Sequence, residues 1–193
     1  MREHDGFFLN FGLGYAPVTA KGETESFGAK LDTEISGGAG AGQLMIGGTP
    51  APGFVVGGAS MGWVISDPTF EAEGLGEAPT SDGQATMQSL GVFGRYYTDP
   101  KSGLFLEAFL GYAQGNYEYT ISDVKTESET GTGYALALGV GYEFWVGEQW
   151  SLGPAFRFAY AKLSYDEKSS TGVSRTDEYT VTAPSIMFGV TYH

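Results

Sequence analysis

The sequence predicts an all-β protein: a single, eight-stranded, antiparallel, up-and-down transmembrane β-barrel. Three observations predict it. Eight segments alternate a large apolar side chain with a small or polar one, the period of a strand with two unlike faces. The joints between them alternate in length, long at about 17–34, 66–84, 120–132 and 164–177 and short at 48–53, 99–103 and 146–149. That rhythm belongs to a barrel whose two ends differ. Finally, an eight-stranded barrel is too narrow to enclose eight stripes of large apolar side chains, so those stripes must point outward into lipid.

The elements follow in order within residues 6–192. In the first strand Phe7, Leu9, Phe11, Leu13 and Tyr15 share one face, and Phe8, Asn10, Gly12, Gly14 and Ala16 the other. The second, third and fourth strands carry weaker patterns. Leu44 with Ile46, Met61 with Trp63, and Leu90 with Val92 are assigned outward, and Gly38–Gly42 offers register little to hold. In the fifth strand Leu104, Leu106, Ala108, Leu110 and Tyr112 point out; in the sixth, Tyr134, Leu136, Leu138, Val140, Tyr142 and Phe144. In the seventh, Trp150, Leu152, Pro154, Phe156, Phe158 and Tyr160 do so. The eighth is Pro184–Tyr192, apolar at every second place and closed by an aromatic. Strand-breaking residues fill the short joints, Gly48-Thr49-Pro50-Ala51-Pro52-Gly53 and Asp99-Pro100-Lys101-Ser102-Gly103. Pro154 and Pro184 lie inside strands, where a missing N–H suggests local bulges.

Aromatic residues bracket the stripes. With the N-terminus in the periplasm, Phe7, Tyr96, Phe144, Trp150 and Tyr192 fall near the inner rim. Tyr15, Trp63, Tyr112, Tyr134 and Tyr160 fall near the outer one. Amphipathic rings gain from lipid and water together, so two such girdles suit the two headgroup layers.

Composition agrees. Gly contributes 31 of 193 residues, aromatics 15% and charged residues only 17%, unlike an ordinary soluble enzyme. No apolar run approaches the ~20 residues of a membrane helix. Alternation averages the mean hydropathy to −0.12, as it does in barrels. The absence of cysteine suits an oxidising envelope but decides little. Met1, followed by Arg2, Glu3 and His4, reads as a start that replaces a removed leader, and His193 as an addition beyond the last strand.

At this point the chain resembles the small eight-stranded bacterial outer-membrane barrels, the group containing the transmembrane domain of outer-membrane protein A. The sharpest element is Pro184–Tyr192, which is similar to the terminal signal read by the barrel-assembly machinery. His193 departs from that signal, since the aromatic normally comes last. The resemblance implies an integral outer-membrane monomer with both termini in the periplasm, in contact with lipid and lipopolysaccharide.

The inward face carries the chemistry. Parity turns Arg95, Glu107, Glu143 and Arg157 into the lumen, and the turn near Lys101 sets Arg95 across from Glu107. Two cations and two anions in a low-dielectric cylinder must pair. Such a network is either a structural plug, as small barrels of this resemblance commonly have, or a gate on a conduction path. Inward Gly139, Gly141, Gly153, Ala135, Ala137 and Ala155 leave space, and Phe93, Phe105, Phe109 and Trp145 refill part of it.

No catalytic residue, cofactor or metal site is assigned. The only histidines are His4 and His193, both terminal, which removes the usual general base. Ser122-x-x-Lys125 has β-lactamase-like spacing without the required helix, and Gly38-x-Gly40-x-Gly42 lacks the lysine of a phosphate loop. Five acids between Ser66 and Gln84 (Asp67, Glu71, Glu73, Glu77, Asp82) lack the spacing of a calcium loop and read as a solvated surface. With a formal charge of −13, the chain repels nucleic acid. The expected role is therefore non-enzymatic, structural or toward an unknown surface partner through the four long joints. A narrow pore, or a carrier for small solutes or amphipathic molecules, is the alternative.

Overall fold

The alternation read above is what builds the wall. The computed structural model describes residues 6–26, 29–72, 76–79, 83–121, 124–127, 130–168 and 174–193. Its strands are β1 (Phe7–Ser26), β2 (Ala29–Ala51), β3 (Phe54–Ser66), β4 (Thr69–Ala72), β5 (Gly76–Pro79), β6 (Gln84–Tyr97), β7 (Leu104–Ile121), β8 (Val124–Glu127), β9 (Gly131–Tyr142), β10 (Phe144–Trp145), β11 (Trp150–Lys168) and β12 (Ser174–Tyr192). Eight of these, β1, β2, β3, β6, β7, β9, β11 and β12, form an all-antiparallel wall. β1 pairs with both β2 and β12, which closes the barrel. Closure leaves no sheet edge to hydrocarbon, the condition for β-structure to span a bilayer.

Each tight end is held by its own backbone. At the β2–β3 turn a bulge between Gly48 and Ala51 precedes Gly53, whose φ of 74° suits glycine. At the β6–β7 turn the Asp99 side chain accepts from Lys101 N at 2.9 Å and its carbonyl accepts from Ser102 N at 2.9 Å. Before β11, Val146 N and Gly147 N both donate to the Trp150 carbonyl, at 3.0 and 3.2 Å.

The long joints are corrected. β1 continues through residues 17–26 and β2 through 29–34, paired without slip from Phe7↔Gly48 to Ser26↔Ala29. β11 and β12 likewise pair on to Lys168↔Ser174. Within 66–84 the β4–β5 hairpin docks on β2 at Thr33–Ser36, and within 120–132 β8 folds back on β7. Polar residues mark where the chain leaves lipid; backbone pairing continues past that point, because the ladder does not depend on which side chains it carries. Glu73, Asp82 and Ser122, together with Met1–Asp5, lie outside the described residues.

The prolines interrupt ladders without shifting them. β10 and β9 meet β11 in one register, Phe144↔Leu152 and Ala155↔Gly141, and Pro154 lies in the gap between them. The β1–β12 register runs to Tyr15↔Ile186 and resumes unshifted at Thr19↔Thr182. Pro17 and Pro184 fall opposite each other in that gap, and neither has an N–H to donate. The expected bulges are absent at both places because hydrogen bonds are lost there while no residue is inserted.

The outer wall is apolar, with Leu90 and Leu138 each 69% exposed and Ile186 70%. Such a band is stable only in lipid. One strand departs from expectation. In β3, Met61 and Trp63 are buried in the lumen, and Phe54, Val56 and Val64 face outward. The inward residues of neighbouring and facing strands explain this: Ala39, Ala41, Ala159, Ala161 and Ala183 are small and buried, and Trp63 fills the space they leave. Its Nε1 lies 3.4 Å from Ser185 Oγ, which accepts its hydrogen bond. Trp63 is therefore not part of an outer aromatic rim.

Candidate functional site: the barrel lumen

Toward the tight-turn end, inward parity on six strands delivers polar side chains to one level. Arg95 on β6 is 1% exposed. It donates through Nε and Nη2 to Glu107 Oε2 on β7, at 3.0 and 2.7 Å, and through Nη1 to Glu143 Oε1 at 2.6 Å. Its guanidinium stacks 4.0 Å from the centroid of Phe105 and 5.0 Å from that of Phe8. The other Glu107 oxygen accepts from Arg157 Nη2 on β11. The charges thus alternate in a chain, Glu143–Arg95–Glu107–Arg157, and sum to zero. Burial makes that pairing obligatory, since an isolated charge here carries the full cost of desolvation.

Glu143 occupies the break between β9 and β10, where close backbone approach requires small neighbours. A Cβ on Gly103 would fall onto the Glu143 carbonyl. The Glu143 carboxylate gathers donors missed in the sequence reading: Tyr97 Oη at 3.0 Å, Ser151 Oγ at 2.8 Å and Thr191 Oγ1 at 2.7 Å. From Thr191 the network continues to Asn10 Nδ2 at 2.8 Å, and Asn10 Oδ1 accepts from Gln43 Nε2 at 2.5 Å. Each of these residues lies on the inward parity of its strand, so extending parity to every polar residue at the level of Glu143 would have found them.

His193, one residue past β12, joins the same cluster. It is buried, its backbone N–H donates to the Gln149 carbonyl at 2.9 Å, and its ring packs on Trp145 at 4.9 Å. Its Nε2 meets Ser151 Oγ at 3.0 Å and Glu143 Oε2 at 3.4 Å. Ser, His and Glu here do not form a nucleophilic relay. A relay needs nucleophile and orienting acid on opposite ring nitrogens of the histidine base, whereas Ser151 and Glu143 share Nε2. What the cluster does instead is tie strands together.

The remaining sequence-assigned aromatics lie on the outer surface. Phe7 and Trp150 both pack on Tyr192 at the turn end, with centroids at 6.2 and 5.1 Å, and Tyr142 packs on Phe144 at 4.8 Å. Tyr134 and Tyr160 meet at 6.4 Å toward the loop end, and Tyr15, Tyr96 and Tyr112 are exposed.

Toward the loop end the lumen changes character. Above Trp63 it becomes a recess lined by Ile35, Ile65, Met87, Leu163 and Val181, with Tyr117, Tyr165 and Tyr179 among its walls. The three tyrosines touch in sequence, with Tyr117–Tyr165 centroids at 6.2 Å and Tyr165–Tyr179 at 5.4 Å. Burial, with the neighbouring phenols adding to it, pushes the Tyr165 phenol up, so its hydroxyl stays neutral.

A closed eight-stranded antiparallel wall, an apolar outer band and a charge-balanced lumen define the class: an outer-membrane-type β-barrel. A profile of the autotransporter β-domain matches residues 17–191, and the chain belongs to that family. Among solved structures the chain is similar to the outer membrane protein OprG from Pseudomonas aeruginosa, at 18% identity and a TM-score of 0.59, over 100% of this chain and 99% of that one. It is similar also to outer membrane protein AlkL, at 15% identity and 0.53, over 98% and 90% of the two chains. Neisserial surface protein A gives 14% and 0.51, over 97% and 96%. These likenesses are of fold. No curated protein matches the chain.

Proposed function

We propose that the protein is a sealed outer-membrane barrel that acts without catalysis, through the strand extensions and hairpins of its loop end. The Glu143–Arg95–Glu107–Arg157 chain carries this reading. A conduction path needs charges held apart with water between them. Here each of the four is at most 5% exposed and bonded directly to an opposite charge. The tight turns and both termini face the periplasm, and the loop end faces the exterior, as the asymmetry of the joints supports. Lipid and lipopolysaccharide surround the apolar band, the assembly machinery reads Pro184–Tyr192, and the barrel is monomeric.

Two measurements test this. In planar bilayers the wild type should show no defined unitary conductance, and Glu107→Gln should open none of defined selectivity. Stable wild-type channels would replace the sealed barrel with the pore. For orientation, Thr130→Cys, at an exposed position of the loop end, should react with an impermeant maleimide on intact cells. Lys101→Cys should react only after the outer membrane is opened. The reverse pattern would invert the topology.

A further inference from the structure

The charge network explains the lower lumen and leaves the upper recess without a role. We infer that this recess is a binding site for a small, uncharged, one-ring amphiphile, a phenol-like molecule that enters from the loop end. This goes beyond the sealed barrel and does not depend on it: a barrel closed below can still bind above.

Three features define the occupant. The first is charge. Among the described residues, none of the side chains lining the recess is ionic, although the chain carries 23 acidic and 10 basic residues. An ion entering would give up its hydration with nothing to replace it. The second is size. The recess offers about 50 Å³ of solvent space. That holds three to five waters at about 10–15 Å³ each and is about a third of the ~150 Å³ that takes up benzene, so a single ring seats only part of its body there and a long chain is excluded. Water there has few hydrogen-bond partners, so its displacement by an apolar body is favourable. The third is sparse polarity, since Thr86 and Asn116 in the lining are bonded to each other and the tyrosines supply the rest. Trp63 and Met87 offer an aromatic face and a polarizable thioether. The Tyr117–Tyr165–Tyr179 set adds phenols able to meet a single hydroxyl, with the Tyr179 hydroxyl 3.4 Å from Thr33 Oγ1. A few convergent polar groups on an otherwise apolar concavity are the usual form of a small-molecule site.

The test uses the full chain in lipid nanodiscs with isotope-labelled methionine methyls, followed by NMR during titration with para-cresol. Met87 lines the recess, whereas Met45 Sδ lies 3.7 Å from Arg95 Nη2 in the plug and serves as the internal reference. Para-cresol should move the Met87 methyl saturably and leave Met45 in place, and para-toluenesulfonate should move neither. Ala85→Phe, which fills the recess, should weaken binding at least about tenfold. Leu163→Ala, which enlarges it, should admit para-hexylphenol, which the wild type does not bind. The inference is overturned if Met87 and Met45 shift together in proportion to the cresol dissolved in the bilayer. It is equally overturned if the sulfonate moves Met87 as cresol does, or if Met87 stays still up to the solubility limit of cresol.

Discussion

Removing Arg95 interrogates the plug most directly. Arg95→Met keeps much of the volume and deletes the cation between Glu107 and Glu143. The two anions are not left equally exposed to the loss. Glu107 retains Arg157, while Glu143 retains, among the described residues, hydroxyl donors from Tyr97, Ser151 and Thr191, together with His193. Breaking one member out of a buried pair costs about 3–5 kcal/mol, much of it from the charge left behind. The stacking of the guanidinium on Phe105 is lost as well. The expected loss is therefore near the upper end of that range, about 4–5 kcal/mol, read from urea unfolding in lipid vesicles. The alternating chain also ranks the double variants. Arg95→Met/Glu143→Gln leaves Glu107–Arg157 as an intact neutral pair and should recover about 2 kcal/mol. Arg95→Met/Glu107→Gln leaves Arg157 and Glu143 each without an opposite charge and should recover nothing. The reasoning is refuted if Arg95→Met costs under about 1 kcal/mol, or if the Glu107 double variant is the more stable of the two.

Other expectations follow from the same geometry. Leu138→Arg, on the lipid face near mid-membrane, should cost about 2–4 kcal/mol in the same unfolding assay, and Thr130→Arg at the loop end very little. Trp63→Ala should cost about 3–5 kcal/mol by opening a cavity in the lumen, whereas Val64→Ala beside it costs far less. In single-tryptophan variants, brominated lipid should quench Trp150 and spare Trp63; strong quenching of Trp63 would return it to the outer face. Because the Tyr165 phenol is pushed up in the folded chain, the folded state holds that proton when the unfolded phenol, ionising near pH 10, has released it. Stability should accordingly fall as pH rises above about 10, and Tyr165→Phe should make that fall shallower.

The sequence by itself determined the barrel, its eight wall strands and the direction of most side chains. In β9 and β11 one face is bulky and the other mostly small, and a two-residue period admits only one way to place bulk outside a narrow cylinder. The inward direction of Arg95, Glu107, Glu143 and Arg157 followed from the same parity. Parity stopped being informative in β3, where Met61 and Trp63 alternate with Val64 and Val56, so that both faces are apolar. Only closure decided between them, by setting Trp63 against the alanines of other strands. Closure likewise linked Arg157 to Glu107, 50 residues apart in sequence, and seated His193 beside Glu143. The strand extensions through 17–26, 29–34, 164–168 and 174–177 were hidden for another reason. Outside the bilayer the outward face of a strand meets water, the apolar alternation that marks it fades, and the backbone ladder that continues leaves little trace in side-chain pattern.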